Sequence, residues 1–363
     1  MINTWSALGT SPKGSRLERM QQSPQYGAGK FVNRLPPKQI ETLHVLKRWF
    51  FEKTPNREPA SPVPVVQRSA ADFAVPADTL QVTWFGHSSL LVELEGKRIL
   101  VDPVWGDYAS PGRIFGVKRF YAPPIALEDL PAIDAVVLSH DHYDHLNEPT
   151  IKALKDKVPM FVVPLGLGAH LEYWGVSPDR ITELDWWEQV EVGNMSLVCT
   201  PARHFSGRGL TDGDATLWAG WAFVGQSQRA FYSGDSGMFP GFKDIGDRLG
   251  PFDITMMETG AYNSDWPDVH MGPEQAVKAH QMVRGDIMLP VHWGTFALAF
   301  HGWTEPAERV LAAAAEVGVS VATPNPGESI SVAASRVDNR WWPALPWKTA
   351  AETPIVSTGL GQE

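Results

Sequence analysis

The sequence predicts a sheet-rich α/β fold, and three observations carry that prediction. Short apolar runs of strand length recur from Gln81 onward. Segments with helical periodicity are set among them, and ionisable residues gather just past the ends of the runs. Strands in runs with intervening helices point to sheets packed with helices around one core.

Taken in order, residues 1 to about 77 read as an N-terminal extension of prolines and polar turns. Its one helical pattern is KQIETLHVLKRWFFEK, where Ile40, Leu43, Leu46, Trp49 and Phe50 recur at spacings of three and four, the period of an amphipathic helix. From Gln81 the texture changes. QVTWF reads as a strand, and SLLVELEGKRILVDP as a strand and its hairpin partner, reversing at Glu95-Gly96. Further strand-like runs are AVVLS, MFVVP, MSLVCTP, LWAGWAFVG, RAFYS, ITMME and IMLPV, with helix patterns in GPEQAVKAHQMV and EPAERVLAAAAEVG. These bound a catalytic domain at residues 78–335, followed by a tail at 336–363 that carries WWPALPW. No internal repeat is present.

At 363 residues and 43% hydrophobic content the chain can bury a large core. No apolar run approaches the roughly 18 residues needed to span a bilayer, and MINTWSALGTSPKGSRLERM lacks the apolar centre of a signal peptide. The expectation is a cytoplasmic protein. Cys199 is the single cysteine, so an internal disulfide and a cysteine-based metal site are excluded. A net charge of −10 argues against broad attraction to nucleic acid.

The chemistry concentrates in LSHDHYDHL, where His140, Asp141, His142, Asp144 and His145 occupy six positions. Such crowding requires hydrogen bonding or a bound cation once the loop folds. His204 follows MSLVCTPAR, Asp235 follows RAFYSG, and His292 follows IMLPV, each past the end of an apolar run as the cluster itself is. Loops at the same ends of neighbouring strands can converge on one point. The seven candidate ligands His140, His142, Asp144, His145, His204, Asp235 and His292 are too many for one tetrahedral ion and suit two that share a carboxylate. His140 and His142 can reach one ion from an extended segment, with Asp144 and His145 turned to the second. Nitrogen and oxygen donors match zinc, iron or manganese.

HDHYDH fits the H-x-H-x-D-H signature of the metallo-β-lactamase superfamily, and His204, Asp235 and His292 fall in that family's order. WFGHSSLLVE, ILVDPVWGDYASP, the GAY of ETGAYNSDW, and LPVHWGTFAL further resemble the N-acylphosphatidylethanolamine-hydrolysing phospholipase D group over roughly residues 78 to 330. The resemblance implies an αββα sandwich with two zinc ions. His140, His142 and His204 would hold one, Asp144, His145 and His292 the other, and Asp235 would bridge them. Oxygen-reducing di-iron members carry a glutamate where this chain has His142.

Two cations can turn water into a nucleophile at neutral pH by forming a bridging hydroxide. The expected reaction is therefore hydrolysis of a small or lipid phosphodiester of the phospholipase D type, with a lactonase or carboxylic ester hydrolase as the alternative. A metal-binding interaction protein without turnover is the alternative from another class. Asp144, Asp235 and His270 are the candidate catalytic residues, His270 as a proton donor or phosphate contact, because the resembling group places a histidine of this region in its substrate site. Tyr262 in GAY, and Arg113, Lys118 and Arg119 in GRIFGVKRFYAPP, are candidate substrate contacts; the competing readings are core packing for the first and a solvated loop for the others. Asp102 either orients a ligand histidine or serves as a turn aspartate before Pro103. His87 has a packing or ligand-supporting role. The helix at 38–51 either packs on the domain or makes peripheral contact with a membrane.

Overall fold

The computed structural model describes residues 4–112, 116–334 and 339–360. Two seven-stranded sheets stack face to face. The first runs in the order Ser329–Ser331, Gln81–Gly86, Ser89–Leu94, Lys97–Val101, Ala135–Val137, Phe161–Pro164, Ile181–Leu184. The second runs Ser320–Val321, Gly285–Val291, Phe252–Glu258, Arg229–Tyr232, Gly220–Val224, Met195–Thr200, Gln189–Val192. Each sheet combines an antiparallel meander with a parallel half.

Residue alternation decides which face packs where. Along Lys97–Val101, Ile99 and Val101 enter the core between the sheets while Leu100 faces outward. Opposite them Leu197, Cys199, Trp221, Phe223, Tyr232 and Met256 complete that core. Leu100, Val136 and Phe161 on the outer face of the first sheet pack under the helices Glu148–Leu154 and Gly168–Tyr173. Ala222, Phe231 and Met288 on the second pack under Gly241–Leu249, Pro273–Met282 and Glu305–Val317. The layering is the αββα sandwich the resemblance implied. The Glu95-Gly96 reversal is a two-residue turn with φ of 51° and 71°, left-handed at both positions as the twist of a tight hairpin requires.

The extension contributes short helices at Thr4–Ala7 and Ser15–Gln21 that the sequence pattern did not show, and a helix at Thr42–Phe51 where it did. Residues 339–360 lie against the sandwich: Trp342 is buried and donates to Glu308 (2.8 Å), and Thr358 bonds both carboxylate oxygens of Asp268.

Candidate metal centre

Strand direction assembles the site. Gln81–Gly86, Lys97–Val101 and Ala135–Val137 run the same way, as do Met195–Thr200, Arg229–Tyr232, Phe252–Glu258 and Gly285–Val291. Their C-terminal ends deliver His87, Asp102, the loop 140–145, His204, Asp235, Glu258 and His292 to one edge of the sandwich.

All seven ligand candidates converge there in two groups. His140, His142, His204 and Asp235 present ligand atoms within 4.8 Å of one another, and so do His87, Asp144, His145 and His292. In the first group His142 Nδ1 lies 2.8 Å from His140 Nε2 and 3.2 Å from His204 Nε2. In the second, Asp144 Oδ2 lies 3.4 Å from His145 Nε2 and 3.2 Å from His292 Nε2. Asp235 Oδ2 reaches both: 3.0 Å to His292, 3.1 Å to His145, 3.7 Å to His140 and 3.8 Å to His204.

Outward hydrogen bonds fix which nitrogen three of the rings offer. His145 Nδ1 donates to Asp102 Oδ2 (2.7 Å), and His204 Nδ1 donates to the Val269 carbonyl (2.7 Å). His140 Nδ1 meets Ser139 Oγ at 2.9 Å, and that hydroxyl donates to Asp102 Oδ2 (2.5 Å). A proton held outward at Nδ1 leaves a lone pair at Nε2 facing inward, as a metal-binding histidine needs. Asp102, whose role the sequence left open, thus orients one ring from each group.

The residues fit a cation. Among the described residues, His145 Nε2 and Asp235 Oδ1, both on candidate ligands, are buried atoms without a hydrogen-bond partner. Buried polar atoms are rarely left so without an ion or water between them. Electrostatics agree. Burial and the adjacent rings of His145, His142 and His204 hold His140 well below the usual histidine range. Burial also opposes charge on His145, but Asp235, Asp144 and Asp102 outweigh it and push the imidazole well above that range. The same contest, decided by Asp235 and Asp144, raises His292 to about 10. Asp144 and Asp235 are held well below the usual carboxylate range: burial opposes their ionisation, and the imidazoles around them, His145 foremost, overcome it. Positive charge is wanted in this space, and a metal ion would take the place of those protons.

His270 stands beside this centre, its Nδ1 3.0 Å from Glu258 Oε2 and 3.9 Å from Asp235 Oδ2. Glu258 is fully buried; its other oxygen accepts the Met271 N–H (2.8 Å), and burial raises its pKa above the usual range despite His270. Sequence reasoning missed Glu258 because it closes the apolar run ITMME; a carboxylate at the end of a buried strand was the available signal. A cleft of about 320 Å³ opens over His142, Asp144, Asp235, His270 and His292, with apolar walls from Ile40, Val45, Trp49, Phe205, Trp266 and Leu298. A larger cavity of about 610 Å³, lined by Tyr108, Tyr143 and Arg208 among others, includes none of the candidate ligands.

Three substrate-contact expectations are corrected. The Tyr262 hydroxyl donates to Glu305 (2.8 Å) and its ring stacks on His301 within the protein, so packing claims it. Arg119 is buried, donating to the Val104 carbonyl at 3.3 Å, and Lys118 is exposed outside the cleft. Arg113 lies outside the described residues. The helix Thr42–Phe51 divides its apolar residues: Val45 and Trp49 face the cleft, while Leu43, Leu46, Phe50 and Phe51 face outward.

Known proteins share this fold. Residues 97–293 match a family model described as a β-lactamase superfamily domain. An uncharacterised protein of Mycobacterium tuberculosis is 46% identical, over 93% of this chain and 92% of that protein. An N-acyl-phosphatidylethanolamine-hydrolyzing phospholipase D of Caenorhabditis elegans is 41% identical, over 66% of this chain and 70% of that protein. The solved structure of an isothiocyanate hydrolase from Delia radicum gut bacteria superposes with a TM-score of 0.56 at 22% identity, covering 69% of this chain and 98% of that one. This last likeness speaks to fold. Among the described residues no helix is long and apolar enough to cross a membrane.

Proposed function

Because the chain belongs to the metallo-β-lactamase superfamily and is a metal-dependent hydrolase of it, we propose that it hydrolyses phosphodiesters of the phospholipase D type. The proposed substrate is an N-acylphosphatidylethanolamine-like lipid, and two divalent ions, zinc foremost, are the cofactors. The observation that carries this reading is that His and Asp side chains of both clusters line a cleft whose walls are apolar, which suits a headgroup ester carried on acyl chains. The phospholipase D named among the relatives supports it.

His140, His142 and His204 would hold one ion and Asp144, His145 and His292 the other, with Asp235 within reach of both groups. When bound, the ions supply an activated water and neutralise charge on the phosphoryl oxygens. Hydrolysis would join a water oxygen to phosphorus as the bond to the leaving alcohol breaks. His270, oriented at Nδ1 by Glu258, presents Nε2 as a lone pair that can take a proton from the attacking water and pass it to the departing alkoxide. Exposed Leu43, Leu46, Phe50 and Phe51 on the helix beside the cleft suit peripheral contact with a lipid surface.

A second reading has its own support. No Lys or Arg is among the described residues lining the cleft, which favours a neutral ester or lactone. Incubating the zinc-loaded protein with bis(p-nitrophenyl) phosphate and with a lactone panel separates the two. Turnover of lactones alone overturns the phosphodiester reading; silence on both panels with metal occupancy confirmed leaves a metal-binding protein without turnover.

A further inference from the structure

We propose that His87 is a positioning residue of the second cation seat, its Nε2–H holding Asp144 and its carbonyl holding the backbone of His292. The inference rests on the two-cation reading above.

The strand Gln81–Gly86 turns back into Ser89–Leu94 through Gly86 and His87. Gly86 has φ of +106°, and a Cβ there would stand 2.2 Å from the Tyr121 hydroxyl and 2.9 Å from Thr295 Oγ1, so only glycine fits. His87 itself is left-handed, with φ of +53°, and is buried. A non-glycine residue held in that region costs about 1–3 kcal/mol and persists where surrounding contacts over-determine it. Here the contacts are identifiable. The His87 carbonyl accepts the Trp84 indole N–H (2.8 Å) and the His292 backbone N–H (3.0 Å). Its ring packs on that of His292 with centroids 4.1 Å apart, and its Nε2 lies 2.9 Å from Asp144 Oδ2.

Proton accounting gives that last contact its direction. Three imidazole nitrogens surround Asp144 Oδ2: His87 Nε2, His292 Nε2 and His145 Nε2. His145 keeps its proton at Nδ1, on Asp102. To receive a cation, His145 and His292 must both present lone pairs at Nε2, so neither can donate to Asp144. His87 is the ring left to supply an N–H. That bond holds one carboxylate oxygen and steers the group toward the seat. The partners it ties together, Asp144 and His292, lie in loops that follow strands of different sheets. Removing His87 should therefore loosen the second seat and spare the first, whose His140, His142 and His204 it does not hold.

The test uses the full chain and zinc alone, with ion content measured by equilibrium dialysis and elemental analysis. H87F removes the donor and keeps an aromatic ring; H87Q offers an amide N–H at the same reach. Wild type is expected to take up two ions. H87F should keep the first with unchanged affinity and bind the second about 10–100-fold more weakly, the usual effect of losing a group that supports a ligand. H87Q should restore the second ion to near wild-type affinity. Unaltered second-ion affinity in H87F overturns the inference. So does equal loss in H87Q and H87F, which would make His87 a ligand or a packing residue. If H87F fails to fold, the H87Q result decides alone: retention of both ions supports the assignment and loss of the second overturns it. Wild type that saturates at one ion sinks the two-cation reading itself, and does so before any substitution is made.

Discussion

Replacing Asp102 with asparagine should weaken both the fold and the metal centre. Asp102 is completely buried and accepts four hydrogen bonds. Oδ1 takes the Ser139 backbone N–H (2.7 Å); Oδ2 takes the Ser139 hydroxyl (2.5 Å), His145 Nδ1 (2.7 Å) and the Tyr232 hydroxyl (2.6 Å). An asparagine preserves the shape but turns one acceptor into a donor. Its NH₂ cannot sit where Oδ2 sits, against three donors, so it takes the place of Oδ1 and leaves the Ser139 N–H unsatisfied. A buried polar group so stranded costs about 1–3 kcal/mol, and the remaining three bonds lose the extra strength that a charged acceptor provides. The expected destabilisation is about 2–4 kcal/mol in the metal-free protein. Zinc affinity should fall about 10–100-fold for the second ion, whose ligand His145 is held directly. The first ion should lose less, since His140 is held only through the Ser139 hydroxyl. Denaturant unfolding in chelator gives the first quantity and equilibrium dialysis the second. Apo stability within about 0.5 kcal/mol of wild type, together with unchanged zinc affinity, would refute the role assigned to Asp102.

Three further outcomes are expected. H270A should keep its zinc content while turnover of bis(p-nitrophenyl) phosphate falls about 10²–10⁴-fold; undiminished turnover removes His270 from the chemistry. The paired substitution F50E/F51E, on the exposed face of the helix, should abolish co-flotation with anionic liposomes and leave turnover of the soluble substrate intact; a wild-type protein that never floats ends the lipid-surface reading. His280, buried with Nδ1 2.7 Å from the Thr255 hydroxyl, has its pKa pushed down by burial from 6.5 to about 4. The unfolded chain therefore takes up a proton that the folded one refuses, so stability is complete above about pH 6.5 and declines as pH falls toward 4, by up to about 3 kcal/mol. H280N should flatten that part of the stability profile, and parallel wild-type and variant profiles from pH 7 to 4.5 would contradict it.

Much of the architecture was legible because the local signals were strong. The longer strands announce themselves as apolar runs, and HDHYDH places five ionisable groups where one strand ends. The edge strands Ile181–Leu184 and Gln189–Val192 escaped notice because they are four residues long and half-exposed, which leaves too little contrast for a period to register. The helices Glu148–Leu154 and Gly168–Tyr173 are about two turns each and failed for the same reason. In the site, the ligands were legible and their supports were not. Glu258 is twelve residues from His270 and His87 is 57 from Asp144, so neither pairing has a local signature. Arg119 shows the opposite error: a cation in a loop suggests a ligand for phosphate, yet its long stem lets it fold inward.

The supports also explain where this site stores its cost. His87, Asp102 and His292 all have left-handed backbones, with φ of 53°, 38° and 64°, and each would relax if its contacts were removed. His87 is held by Trp84 and His292, Asp102 by four donors, and His292 by the His87 carbonyl. The constraints close on one another across both sheets, so a cation bound there would meet ligands whose backbones are held by the protein's own contacts. A site assembled only on metal binding would behave differently: its stability in chelator would be indifferent to Asp102, and its first and second ions would be lost together.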